Sequence, residues 1–432
     1  MRGHSLIFGI FLLLLSSFFA IGQDVPSPAK TQDKPIAIVG AKLHVGDGSI
    51  IENSVIVFDK GIITQITTSD KFTNTNQATI IDAKGKEVYP GAIATATTIG
   101  LQEIDAVRAT NDAREVGQMN PNVRSAIAYN TDSRVTPTIR TNGILTAQIV
   151  PQGGRISGTS SIAQLDAWNW EDAMITDDGI WMNFPNIYSY SGWWAEPGSY
   201  EKNKEYDNQI NEIITFLDAS KAYMNKTNPT PINLKYEAMK DIWGAKKNLY
   251  IRADGVKEMQ AAISLCETYG IKPVIVGAYD SYLIADELAQ KHISVILDKC
   301  HALPSRTDDD IQQNYKTPAI LQKAGVLYAI SIEGSWQTRN LCFEAGTASA
   351  YGLSKEEALA AITSNPAKIL KIDNQLGTLS IGKKATLLVS SGDILDMGSN
   401  KIELAYIEGR SINLGNKQID LFQKFAKKYG IN

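Results

Sequence analysis

A mixed α/β fold is the class this sequence predicts: a (β/α) barrel of the TIM type joined to a composite β-sandwich made from both chain ends. Three observations carry it. From Pro35 the residues alternate with the period of two that marks short strands, and the same texture returns late in "ATLLVSSGD" and "IELAYIEGRSI". Between these ends, strand-like and helix-like stretches alternate with short links, the signature of parallel βα units. The 432 residues, 44% apolar and 20% charged, suffice for one large barrel and a smaller unit.

The elements follow in chain order. "MRGHSLIFGIFLLLLSSFFAIGQ" has a basic Arg2, an apolar run of roughly sixteen residues, and small residues at Ala20 and Gly22 before Gln23. This pattern, over residues 1–22, predicts a cleaved secretory signal, hence an exported, periplasmic or secreted protein. The run is short for a membrane span, and no second run reaches about eighteen residues, so no span is expected in the mature chain. Residues 23–34 are polar and contain Pro, a flexible leader. "IAIVGAKLHV", "SVIVFDK" and "IITQITT" are then strands separated by the turn chemistry of "GDGS" and "DKG", giving the first part of the sandwich at 35–89.

The barrel is expected over 90–375. Its second half reads clearly: "KPVIVGA", "ISVILDK" and "VLYAISIE" as strands, with "DSYLIADELAQKH", "TPAILQKAG" and "RNLCFEAGTASAYG" as helices between and after them. Ser354 with Glu357 makes a capping box for "KEEALAAIT". "PQGGRISG" matches no phosphate-loop spacing and reads as a tight strand link. "NFPNIYSYSGWWAEPGSYEKNKEY", with Tyr188, Tyr190, Trp193, Trp194 and Tyr200, is too long for a βα link and is expected to be a lid over the barrel mouth or a local satellite core. Residues 376–432 supply the second part of the sandwich and a C-terminal helix, whose basic "QKFAKKYG" reads as a solvated helix end. Neither end has enough strands to cover its own apolar face, so the two are expected to pair.

The side-chain inventory restricts the chemistry. A net charge of −4, with no long basic run after the start, argues against a dedicated nucleic-acid binder. Cys266, Cys300 and Cys342 form no CxxC pair and lie in apolar surroundings, so they are expected to be buried, inert thiols. Of four histidines, His4 lies in the signal, His44 in the sandwich and His292 after an amphipathic helix; only His301 follows a barrel strand.

The succession "IDAKGKEVYPGAI", barrel, "SKEEALAAITSNPAKILKIDNQLGTLSIGKKATLLVSSGD" and "IEGR" resembles the amidohydrolase superfamily, most nearly its imidazolonepropionase-like exported bacterial branch. The resemblance spans nearly all of the expected mature chain, and it implies a barrel that hydrolyses non-peptide carbon–nitrogen bonds with water activated by a divalent metal, usually zinc. In that family an HxH pair follows the "PG" strand. Here Pro90 and Gly91 are present, but the two imidazole positions fall on Ala96 and Thr98, and the preceding Asp position falls on Ala94. Arg252 in "IRADG" takes the next metal-His position, "VIVGAYDS" offers Gly277 and Ala278 at another, and Glu333 in "AISIEGSW" stands at the catalytic Asp position. The resemblance thus implies a zinc site whose ligands are missing here: Ala carries no donor, and a Thr hydroxyl is a poor zinc ligand.

The active face of such a barrel is the C-terminal end of its strands. Candidates there are His301 and Glu333 as a catalytic acid–base pair, and Arg252, Asp254, Tyr279, Asp280, Trp336, Arg339 and Asn340 as ligand-binding residues. Arg252, Arg306 and Arg339 suit a carboxylate or phosphate, and Asp308 to Asp310 lie in the same region. Three readings stay open: a metal-poor or metal-free hydrolase using His301 and Glu333, an inactive paralogue that binds a small ligand, and a subunit pairing with itself or with an active amidohydrolase-like partner. Arg252 and Glu333 are further expected to approach one another as an ion pair where a metal would otherwise sit, because a buried carboxylate without a partner is costly.

Overall fold

The structure is a computed structural model that describes residues 27–74, 77–193, 195–196 and 198–431. The expected signal segment with His4, the first residues of the leader, and Trp194 lie outside the described residues. Eighteen strands are used below, with helices named by their residues.

Both chain ends contribute to one sheet. Strands β1 (Ile36–His44), β2 (Ile50–Asp59), β3 (Ile62–Thr68), β4 (Thr79–Asp82) and β5 (Glu87–Pro90) come from the first end. Three strands from the last end join them: β16 (Leu387–Ser390), β17 (Ile402–Ile407) and β18 (Arg410–Ser411). The order is β18-β17-β16-β5-β1-β2-β3, with β4 also on β1, and the join is the antiparallel register of Leu387 on Pro90 through Ser390 on Glu87. The expected two-layer sandwich is therefore one eight-stranded sheet that curls on itself. An Ile62–Lys384 bridge ties its far edge back to the chain entering β16, enclosing Ile38, Leu43, Ile56, Phe58, Val88, Leu387 and Tyr406.

The barrel has eight strands in the order β6 (Ala92–Thr97), β7 (Ile144–Ile149), β8 (Ile156–Gln164), β9 (Met174–Asn183), β12 (Asn248–Ala253), β13 (Pro273–Gly277), β14 (Ser294–Leu297) and β15 (Tyr328–Ile330). Closure between the first and last strands runs through a parallel Thr97–Gly334 bridge. The strictly parallel βα alternation expected for the whole barrel holds from β6 to β7, with the helices Ser125–Ala128 and Val135–Thr141 between them, and again from β9 onward. β8 is antiparallel to both β7 and β9, so a hairpin stands where a βα unit was expected, and "PQGGRISG" is its turn. β8 escapes a hydropathy reading because it is buried along its whole length yet rich in Ser, Thr and Gly. Its hydroxyls are satisfied inside: Ser160 and Ser161 donate to Asp178 and Asp177 at 2.7 Å, and Thr159 donates to the Pro121 carbonyl at 2.7 Å.

The barrel interior is filled by Ile93, Ala96, Ile162, Trp181, Tyr250, Val276, Ile296 and Ala329 from seven of the strands and by Val150 just past β7, and residues Ala367 to Leu376 pack against this cluster. The Ser354–Glu357 capping box is formed, with the Glu357 N–H donating to Ser354 Oγ at 3.2 Å and the Ser354 N–H to Glu357 Oε2 at 2.7 Å. The aromatic segment after β9 forms a two-stranded hairpin, β10 (Tyr188–Tyr190) and β11 (Tyr200–Lys202). Tyr188, Tyr190, Trp193 and Tyr200 are all exposed, so these rings do not build the satellite core that was one expectation. Cys266, Cys300 and Cys342 are free and buried; burial pushes the Cys266 and Cys342 thiols up to about 12 and raises that of Cys300 as well. Among the described residues, no helix is long and apolar enough to cross a membrane.

Candidate functional site

The end of β6 shows what "ATATT" does. Ala96 packs in the barrel-interior cluster, and its φ of 57° puts it in the left-handed region that ordinary residues rarely enter. The turn is held by the Gln148 side chain, whose Oε1 accepts the Ala96 N–H at 3.1 Å. The surrounding threonines stitch the barrel shut. Thr97 Oγ1 donates to the Gln148 carbonyl at 2.9 Å, the Thr98 N–H donates to Gly334 O at 3.1 Å, and Ser331 Oγ donates to Thr95 O at 3.1 Å. Thr98 is fully buried just past the strand end, and its hydroxyl donates to Gln102 at 3.4 Å.

Across the mouth, Arg252 near the end of β12 reaches Glu333 beyond β15, with Nη1 2.8 Å from Oε1. Gln152, in the β7–β8 turn, donates to the same Oε1 at 3.1 Å. The two charges come from strands separated by β13 and β14 around the barrel, and they meet across its mouth. The pair is not buried: the Arg252 and Glu333 side chains are 25% and 41% exposed. The expectation of a buried pair is corrected on this point, because Glu333 lies beyond the strand end, where solvent reaches it.

Beneath Arg252 is a stack. Its guanidinium lies 5.1 Å from the centroid of the Trp181 ring, and Trp181 stacks on Tyr250 at 4.9 Å with 18° between the planes. Trp181 is 1% exposed, and its Nε1 meets no hydrogen-bond acceptor among the described residues. Tyr250 donates to Asp178 Oδ2 at 2.6 Å and accepts from Asn248 Nδ2 at 3.0 Å. Asp178 also accepts from Ser160 at 2.7 Å and from Gln148 at 2.8 Å. Burial pushes the Asp178 carboxyl up despite its three donors, and burial with the neighbouring Asp178 charge raises the Tyr250 phenol. A cation, two rings and one buried carboxyl thus run from the mouth into the barrel. Neither Trp181, Tyr250, Gln148 nor Asp178 was singled out from the sequence; the Trp in "GIWMN" and the Tyr in "KKNLY" carry no local sign that they stack.

The other expected site residues are distributed differently. His301 does not bond to Glu333. Its Nδ1 lies 3.2 Å from Oε1 of Glu344, on the helix Leu341–Ala350, its backbone N–H donates to Glu344 Oε2 at 2.7 Å, and Nε2 bonds to Thr347. Burial pushes the Glu344 carboxyl up. Each member of the expected acid–base pair is bonded elsewhere, to a partner its own neighbourhood supplies. Asp280 is buried and receives a bidentate contact from Arg306, at 2.5 and 3.0 Å. Arg306 also binds Asp309 at 3.0 Å and lies over the Tyr279 ring, whose hydroxyl donates to Asp309 at 2.7 Å. Arg306, Tyr279, Asp280 and Asp309 therefore satisfy one another. Asp310 pairs with Lys316 at 2.6 Å. Arg339 lies over Trp336 and donates to the Trp336 carbonyl at 2.6 Å, and Asn340 precedes the helix Leu341–Ala350. Asp254 is exposed at the end of β12, next to Arg252, and its backbone carbonyl accepts the Asp280 N–H at 2.9 Å. Among the described residues, no group of three or more His, Cys, Asp or Glu side chains is arranged to hold a metal ion.

Comparison with known proteins gives the fold a context. The chain superposes on an amidohydrolase from Thermotoga maritima MSB8 with a TM-score of 0.74 and 22% identity, covering 88% of this chain and 99% of that one. A prolidase complexed with N-methylphosphonate-L-proline gives a TM-score of 0.55 at 15% identity, with 88% and 100% covered. Molinate hydrolase gives 0.54 at 12% identity, with 89% and 96% covered. At these identities the likeness is one of fold. No curated protein matches the sequence. Residues 258–412, from the helix after β12 to the last strand of the composite sheet, match the amidohydrolase family, and the chain as a whole has the fold of the solved amidohydrolases.

Proposed function

We propose that this chain is an amidohydrolase-type protein, of a hydrolase lineage acting on carbon–nitrogen bonds other than peptide bonds, whose barrel mouth binds a small carboxylate-bearing ligand around the fixed Arg252–Glu333 pair in place of a divalent metal. One observation carries the reading: the residue at a metal-binding His position of the resemblance is an arginine seated on Trp181 and 2.8 Å from Glu333. The donor set does not fit zinc. Ala96 offers no lone pair, the Thr98 hydroxyl is engaged with Gln102, and Gly277 and Ala278 have no ligating side chain. Glu333 alone remains, already held by Arg252 and Gln152. A fixed cation beside that carboxylate opposes a second, divalent one.

What the residues can do is bind. A guanidinium carries five N–H donors, and the Glu333 contact uses few of them. Its place over the indole ring and its bond to Glu333 hold the guanidinium at the mouth, and its remaining N–H groups suit a planar carboxylate. Elemental analysis of purified protein is expected to give far less than one metal per chain, and a panel of small carboxylates is expected to raise the melting temperature of the wild type but not of Arg252→Met. Stoichiometric zinc together with chelator-sensitive hydrolysis would sink the proposal. Export through residues 1–22 belongs to the same reading: N-terminal sequencing should find a mature chain starting near Gln23, and a soluble cytoplasmic form that keeps Met1 would remove it.

A further inference from the structure

The helix Lys417–Tyr429 has no buried residue. It is fastened at its start only. Asn416 caps it, accepting the Ile419 N–H at 2.9 Å and donating to Thr141 Oγ1 at 2.7 Å, and Thr138 donates to Gln418 at 2.9 Å. Among the described residues, no hydrogen bond or ion pair ties residues 420–431 to any residue before Asn416. At 100° per residue, Ile419, Leu421, Phe422, Phe425, Ala426 and Tyr429 share one face of roughly 160°. Leu421, Phe422, Phe425 and Tyr429 are all exposed, Phe422 at 68% and Tyr429 at 65%. Lys417, Lys424, Lys427 and Lys428 occupy the remaining arc with a single acid, Asp420.

We propose that this helix docks the protein on an anionic lipid surface, with its aromatic face among the acyl chains and its lysines at the headgroups. Charge selects the occupant. Four lysines against one aspartate, on a chain whose net charge is −4, form a local cationic strip that needs an acidic counterpart. A second copy of this helix brings the same excess of lysine and only one acid, Asp420, to meet four lysines. A groove on a partner protein takes a narrow stripe of anchors, whereas the apolar arc here is nearly half of the circumference, as in helices that lie in a membrane interface. Lysine stems bordering the arc can extend their charges toward phosphates while their methylenes stay with the apolar face.

The full-length protein is mixed with vesicles of phosphatidylcholine alone or with about 30% phosphatidylglycerol, and binding is read by co-sedimentation. Binding to the anionic vesicles is expected at low salt, falling at least about tenfold on pure phosphatidylcholine or in about 0.5 M salt. The double variants Phe422→Ser with Phe425→Ser, and Lys424→Glu with Lys428→Glu, are each expected to weaken it at least about tenfold with the thermal midpoint unchanged, since neither alters a buried residue. Failure to bind anionic vesicles, equal binding to neutral ones, or binding indifferent to both variants would overturn the proposal. So would a wild-type dimer in solution that Phe422→Ser with Phe425→Ser converts to monomer without vesicle binding, which would assign the face to self-association.

Discussion

Arg252 is held from two directions, by the Trp181 ring below it and by Glu333 across the rim. Because both charged groups are partly exposed, their mutual attraction is screened, and the 3–5 kcal/mol scale of a broken buried pair does not apply. Arg252→Ala should cost about 1 kcal/mol through the pair, with a comparable loss from uncovering the indole. Arg252→Met, which keeps a long side chain over Trp181, should recover part of that loss. Urea unfolding of the two variants, of Glu333→Gln and of Arg252→Met combined with Glu333→Gln measures this, the wild type closing the double-mutant cycle. A coupling above about 3 kcal/mol would mean that the pair is desolvated in solution. At the same scale, Gly179 marks where backbone meets ring: a Cβ there would lie 2.5 Å from the Tyr250 ring, so β9 can pass Tyr250 only without a side chain at this position.

At the scale of elements, the barrel strands carry a polar thread through an apolar interior. Gln148 on β7, Ser160 on β8, Asp178 on β9 and Tyr250 on β12 form one hydrogen-bonded set, so four neighbouring strands are registered by side chains as well as by their ladders. Tyr250→Phe removes the 2.6 Å donor to Asp178 and should cost roughly 1.5–3 kcal/mol in denaturant unfolding. The pH dependence has a defined sign. A carboxyl whose folded value is raised holds its proton more tightly in the folded chain, so its contribution is full below the unfolded value near 4 and is lost as the pH rises through the folded value. Wild type should therefore gain stability relative to Asp178→Asn as the pH falls from 7 toward about 4. Parallel stability curves for the two proteins would show that Asp178 does not titrate this way.

The whole molecule is tied together by its two ends. β16 lies between β17 and β5 in the middle of the composite sheet, and the chain entering it also bridges to β3. Deleting the residues after Lys383 removes three strands and uncovers Val88, Ile56 and Phe58, so the truncated protein should unfold or aggregate as a whole. A soluble truncation melting at the full-length midpoint would mean that the first end folds without the second.

The sequence by itself determined the elements whose apolar period or cap is local: β1 to β3, β13 to β15, the return through β16 and β17, and the helix that Ser354 and Glu357 open. It also names Ala96, Thr98 and Arg252 as the residues at positions where the resemblance would place metal ligands, since these can be read without coordinates. Only the tertiary structure decided that β8 runs antiparallel, that His301 bonds Glu344 instead of Glu333, that Arg252 rests on Trp181 and Tyr250, and that the final helix carries its aromatic face uncovered. The physical reason is distance along the chain. Hydropathy period and capping are settled among residues a few positions apart, whereas Arg252 meets Glu333 across the barrel mouth, and Asp178 meets Tyr250 on the adjacent strands β9 and β12, only because the barrel folds remote stretches of chain together, and no local pattern records which partner that will supply.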